Sequence, residues 1–186
     1  MSIVLNTNLF KYNDTFKLLK DYSNIYKRSL EDIEIESIYN YSKNDYRETN
    51  LLLRNNTRIE SNPILSQVPY IDSALDKFYF DKPFTVYRKL HLGDKLYGTV
   101  SFWKYQGIIK DIGYQSTSLL KDAFVLRDAD LFLEIKIENP SCGAYICPIA
   151  WNKIEEEFLI KRKTPIIIDK IDNRNLNTIT IKGRVR

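Results

Sequence analysis

Three carboxylates in a row, Glu155, Glu156 and Glu157, run into the apolar segment Phe158-Leu159-Ile160. A short acidic run is most often a solvated surface. In an extended strand, side chains alternate, so Glu155 and Glu157 would share one face about 6.5–7 Å apart while Glu156 turned the other way with Phe158. Two carboxylates on one face can divide the work of glycosyl transfer, one stabilising an oxocarbenium-like centre and the other activating a nucleophile. At this point both readings stand.

Two other stretches could complete such a site. In "FTVYRK", Phe84 and Val86 face a core if the segment is a strand, which puts Arg88 on the same inward face. A guanidinium there keeps its charge and needs an anion, either a structural carboxylate or a phosphate matched to its planar fork. In "GYQSTSL", Ser116 and Ser118 point the same way; their hydroxyls could bridge strands or hold a neighbouring carboxylate in one rotamer. A serine triad is unattractive, because the sole histidine, His91 in "KLHLG", reads as a surface or packing residue. Cys142 and Cys147 read as two small buried thiols, too few with one histidine for a metal site.

The elements that position these residues change character along the chain. Phe16, Leu19, Tyr22 and Tyr26 recur at helical spacing after Asn13 and Asp14, either of which can cap. Ser29 is placed to cap a second helix bearing Ile33, Ile35, Ile38 and Tyr39. Asp45 with Glu48 has capping-box spacing before Leu51–Leu53. Ile71, Leu75 and Phe78 share a face in a fourth helix. Beyond Pro83 the period becomes two, in "FTVYR", in "LEIKIE" and in "TITIK". Helices first and strands afterwards predict an α+β fold.

At 186 residues with 44% hydrophobic and 13% aromatic content, the chain reads as one domain, helical over 1–82 and β-rich over 83–186. The net charge of +4 is interspersed, so nucleic acid and anionic lipid are poorly supported partners. The opening "MSIVLNTNLFKYND" lacks a signal-peptide pattern, and no apolar run reaches membrane-spanning length.

The order of Arg in "VYRK", then "STS", then "EEE" before "FLI" resembles the Arg–Ser–Glu class of bacterial mono-ADP-ribosyltransferase toxins. The flanks "YSKNDYRETNLLLR", "IDSALDKFYFDKPFTVYR", "GYQSTSLLKDAF", "LFLEIKIENPSCGAYI" and "EEEFLIKRKTPIIIDKI" extend the likeness from about Ser29 to the end. The resemblance implies two roughly perpendicular, mainly antiparallel sheets around an NAD cleft, flanked by N-terminal helices. It implies NAD as co-substrate and no metal.

By the same resemblance, Arg88 holds the diphosphate, and Lys89 stands where backbone grips the nicotinamide amide. Asn50 and Arg54 contact the phosphate and adenosine side. Phe124 and Arg127 belong to the loop covering nicotinamide and phosphates. Ser116 hydrogen-bonds the catalytic Glu157, which binds the nicotinamide ribose. Glu155, two residues earlier, is Glu in arginine-modifying relatives and Gln in asparagine-modifying ones, and Trp151 occupies the target-recognition turn. The implied activity is transfer of ADP-ribose to an arginine of a target protein, actin first by analogy. The alternatives are NAD hydrolysis, transfer to another acceptor such as a nucleobase, or a non-catalytic binding role. The implied setting is a bacterial or phage effector, secreted or injected, acting in the cytosol of a host or target cell with a delivery partner that this chain does not encode.

Overall fold

The computed structural model describes residues 7–122, 129–174 and 178–186. Helix α1 runs Thr7–Arg28, so Asn13 and Asp14 lie inside it and do not cap it. Its face of Leu19, Ser23 and Tyr26 is buried, with Phe16 and Tyr22 partly covered. Ser29 closes α1, donating its hydroxyl to the Tyr26 carbonyl at 2.7 Å. Helix α2 (Asp32–Asn40) is therefore capped at Glu31, whose N–H is received by the Glu34 carboxylate at 2.8 Å.

A π-helical turn, Tyr41–Asp45, leads directly into α3 (Tyr46–Arg54). Asp45 is consequently already helical and caps nothing, and its carboxylate takes a long bond from Gln67. Helix α4 (Val68–Asp76) buries Ile71 and Leu75 as their spacing predicts, and Phe78 is buried just beyond its end.

The strands follow: β1 (Phe84–Leu90), β2 (Ile108–Ile109), β3 (Gln115–Ser118), β4 (Leu131–Ile137), β5 (Gly143–Tyr145), β6 (Glu157–Ile160), β7 (Ile166–Asp172) and β8 (Ile179–Val185). Between β1 and β2 stands α5 (Leu96–Gln106), which the periodicity did not reveal. The α+β architecture holds. Among the described residues the strands join in one hydrogen-bonded run, β2-β7-β8-β4-β1-β3-β6-β5, with the β4–β8 pair parallel and the other pairs antiparallel. The alternation in β4 is complete, with Leu131, Leu133, Ile135 and Ile137 buried.

An aromatic chain couples the helices to this sheet. Phe158 on β6 lies edge-on to Phe84 of β1 at 5.0 Å and to Phe78 at 6.1 Å, and Phe78 meets Tyr22 and Tyr26 of α1 at 5.3 and 5.1 Å. Phe158 thus anchors β6 in the core, and its neighbour Glu157 must point to the opposite side. No helix among the described residues is long and apolar enough to cross a membrane.

Candidate active site

Opposite that core lies a cavity of about 400 Å³, lined by residues of the π turn and α3, by β1 and β3, and by Glu155 and Glu157. Strand register builds its floor. Antiparallel pairing sets Ser116 opposite Leu159 and Ser118 opposite Glu157, which brings Ser116 diagonally to the Glu157 carboxylate. Ser116 Oγ donates to Glu157 Oε1 at 2.5 Å. Glu157 is 5% exposed. Its burial, reinforced by the charge of Glu155 and opposed by the Ser116 bond and the Arg88 charge, raises its pKa to about 7. This carboxyl is poised to titrate at neutral pH.

Glu155 reaches the same cavity by a different route from the extended one expected. It ends a 3₁₀ turn, Lys153–Glu155, and Glu156 adopts the left-handed conformation (φ 47°, ψ 49°) before β6 begins. The chain turns between the two acids, so strand alternation does not relate them; even so, both line the cavity. Asn152 donates to Glu155 Oε1 at 2.7 Å. Burial raises the Glu155 pKa, and the Asn152 bond works against that rise. Ser118 donates to the Glu155 carbonyl at 2.6 Å, tying the turn to β3. The triplet is not a solvated run: Glu157 is buried, and the Glu156 carboxylate is engaged by Lys20 and Tyr145.

Arg88 lines the cavity from β1, partly buried. Burial draws its guanidinium below the ordinary arginine value, against the pull of Asp111, Tyr41 and Glu157. No carboxylate among the described residues forms an ion pair with it. The acid that might have done so, Asp111, is held by Arg54 in a two-pronged bond at 2.8 and 2.7 Å. The structural-carboxylate reading of Arg88 thus finds no ion-pair partner among the described residues, and its guanidinium faces the cavity. Lys89 lines the cavity beside it.

Asn50 brackets α3 to the π turn and to the residue just before β3. Its amide donates to the Tyr41 hydroxyl at 3.0 Å and to the Tyr114 carbonyl at 3.2 Å, and its oxygen accepts the Tyr114 N–H at 2.8 Å. Gly113 makes room for this bracket, because a Cβ there would stand 2.5 Å from the Asn50 oxygen. Arg54, engaged with Asp111, is not among the cavity-lining residues, and neither is Trp151. Trp151 is 53% exposed, packs edge-on against Tyr39 at 5.6 Å and carries the Lys43 ammonium 4.6 Å from its ring centre. Its backbone N–H donates to the hydroxyl of Ser42, a cavity residue, at 2.9 Å. Phe124 and Arg127 lie outside the described residues.

Sequence reasoning missed several cavity residues, among them Tyr41, Tyr46, Arg47 and Lys121. The tyrosines were visible in "YSKNDYRETN" as a polar-aromatic cluster, but only the π turn brings them to one side. Burial, with the Glu157 charge close by, pushes the Tyr41 hydroxyl far above its usual range and keeps it protonated. Cys142 and Cys147 are buried free thiols, and His91 is exposed, with Nδ1 3.4 Å from Asp130.

Residues 19–184 match the family described as ADP-ribosyltransferase exoenzyme. Among solved structures, Plx2a, an ADP-ribosyltransferase toxin from Paenibacillus larvae, is 24% identical over 95% of this chain and 96% of its own, with a TM-score of 0.78. The C3 exoenzyme from Clostridium limosum is 21% identical over 94% of this chain and 94% of its own, with a TM-score of 0.77. A C3-type protein from S. aureus, solved with NAD, is 20% identical over 96% of this chain and 95% of its own, with a TM-score of 0.72. At these identities the likeness is one of fold. No curated protein matches the chain in sequence.

Proposed function

Because the chain belongs to the ADP-ribosyltransferase exoenzyme family, we propose that it transfers ADP-ribose from NAD to an arginine side chain of a target protein and releases nicotinamide. The observation that carries this reading is the meeting of three features in one cavity: the Ser116–Glu157 bond, Glu155 beside it and the ion-pair-free Arg88. An Arg88 without a carboxylate fits a diphosphate, and Lys89 adds positive charge on the same strand. Asn50 ties α3 to Tyr41 and to Tyr114 just before β3, and Arg54, one turn further along α3, is assigned to the phosphate and adenosine side.

The reaction breaks the bond between nicotinamide and the ribose C1′ and forms one from C1′ to a guanidine nitrogen. Nicotinamide leaves with the bonding electron pair. Ionised Glu157 stabilises the positive charge that develops at the ribose by accepting from its hydroxyl, and Ser116 fixes the carboxylate in place for this. A free guanidinium is a poor nucleophile, since it holds its proton above pH 12. Glu155, whose pKa is raised by burial, orients the incoming guanidinium and takes up the proton it loses on attack. Trp151, exposed on the turn that ends in Glu155, presents an aromatic contact to the target protein. Actin is the first acceptor to examine, by analogy with arginine-modifying relatives.

The test uses labelled NAD with bacterial and animal lysates, followed by mass spectrometry of the modified residue. ADP-ribosyl-arginine is the expected product. Label found only in free ADP-ribose would make the enzyme a hydrolase, and label on nucleic acid would assign a nucleobase acceptor.

A further inference from the structure

The middle acid of the triplet is held from outside the cavity. Glu156 sits at φ 47° and ψ 49°, a region that a residue with a Cβ occupies only when its surroundings hold it there. Both oxygens of its carboxylate are taken. Oε1 accepts from Lys20 Nζ at 2.6 Å, and Oε2 accepts from the Tyr145 hydroxyl. Lys20 belongs to α1, where its ammonium also lies 4.4 Å from the centre of the Phe16 ring. Tyr145 ends β5, the neighbour of β6. Backbone bonds complete the frame, with the Leu119 N–H donated to the Glu156 carbonyl and the Ile146 N–H to the Glu157 carbonyl, each at 3.0 Å. None of Lys20, Tyr145 and Glu156 lines the cavity.

The turn at Glu156 decides how Glu155 stands relative to Glu157. A relaxed, extended Glu156 would return the two acids to strand alternation and carry Glu155 off its 3₁₀ turn and out of reach of Asn152. We propose that Lys20 and Tyr145 are positioning residues for the acid pair: by clamping the Glu156 carboxylate they hold the left-handed turn, and with it the placement of Glu155 for the acceptor step. The N-terminal helix is thereby part of the transferase machinery. The inference rests on the reading of Glu155 and Glu157 as the working acids, and it predicts a selective defect: the first step, which uses Glu157 and Ser116, survives loss of the clamp, and the second, which uses Glu155, does not.

The test compares Lys20→Met, Lys20→Arg and Tyr145→Phe in the full chain, measuring NAD hydrolysis and transfer to agmatine, a small guanidine. Lys20 is 43% exposed, so its substitution is compatible with folding. Lys20→Met is expected to lose about tenfold in transfer kcat, the effect of one charge-assisted hydrogen bond, with hydrolysis and the NAD KM within about twofold of wild type. Lys20→Arg is expected to restore transfer to within about threefold. Hydrogen exchange supplies a readout independent of turnover: the Leu119 amide exchanges faster in Lys20→Met and Tyr145→Phe while β4 amides keep their protection. A transfer-to-hydrolysis ratio equal to wild type, or a general loss of protection that includes β4, overturns the proposal. A wild-type chain that cleaves no NAD overturns the function reading instead and takes the catalytic half of the inference with it; the Leu119 exchange rate then still decides whether the clamp exists.

Discussion

Replacing Glu157 with glutamine should abolish catalysis and, above neutral pH, make the protein more stable. The carboxyl has an ordinary pKa of 4.5 and one of about 7 in the folded chain. The folded state therefore binds this proton more tightly than the unfolded state, so its contribution to stability falls as pH rises from about 4.5 through 7. The gap between the two values, at about 1.4 kcal/mol per pH unit, amounts to about 3 kcal/mol of destabilisation once the group is ionised. Glutamine is neutral throughout and keeps a carbonyl oxygen for the Ser116 hydroxyl at the same place. The difference between variant and wild type should then be close to zero at pH 4.5 and grow to about 3 kcal/mol at pH 8, which for a chain of this size is roughly 6–12 °C in Tm. Thermal melts followed by circular dichroism at a series of pH values measure it. A variant stabilised equally at pH 4.5 and pH 8, or destabilised at pH 8, would refute the claim that Glu157 is a buried, strained carboxylate kept for chemistry.

Ser116→Ala removes the bond that lowers the Glu157 pKa, so the rising limb of the kcat/KM profile for NAD cleavage should move up by about one pH unit. Activity lost at pH 7 should largely return by pH 9, and a loss independent of pH would mean that Ser116 acts by placing the carboxylate and not by keeping it ionised. Arg88→Ala should weaken NAD binding about 10- to 100-fold by isothermal titration, with no loss of thermal stability, because the cation it removes forms no ion pair among the described residues. Unchanged affinity would remove Arg88 from the phosphate site. Asn50→Ala breaks three hydrogen bonds, one to Tyr41 in the π turn and two to Tyr114 just before β3, and should cost about 2–4 kcal/mol in urea unfolding; a smaller change would show that the bracket is redundant.

The division into helices and strands was legible because each period is local: Leu19 and Tyr26 in α1, Ile71 and Leu75 in α4 and the alternation of β4 depend on nothing distant. Helix α5 escaped notice because "LYGTVSFWKYQ" is apolar on its exposed as well as its buried side, with Tyr97, Phe102 and Tyr105 outward and Leu96 and Val100 inward, so no stripe stands out. At the site, residue types singled out Ser116, Glu155, Glu157 and Arg88, and these four line one cavity. What the sequence could not convey was set by partners far along the chain. Asn50 is bound to Tyr114, 64 residues away, and the turn at Glu156 depends on Lys20, 136 residues away. Nor could the sequence convey that the fork of Arg54, which the resemblance places on the phosphate and adenosine side, is engaged by Asp111, 57 residues away.

The central claim is that two acids in one cavity do different jobs, and the most direct measurement is a side-by-side assay of NAD cleavage and arginine transfer in Glu155→Gln and Glu157→Gln. Glu157→Gln should lose both activities. Glu155→Gln should lose transfer to arginine while still hydrolysing NAD. Transfer at the wild-type rate in Glu155→Gln, or NAD cleavage surviving intact in Glu157→Gln, would contradict it.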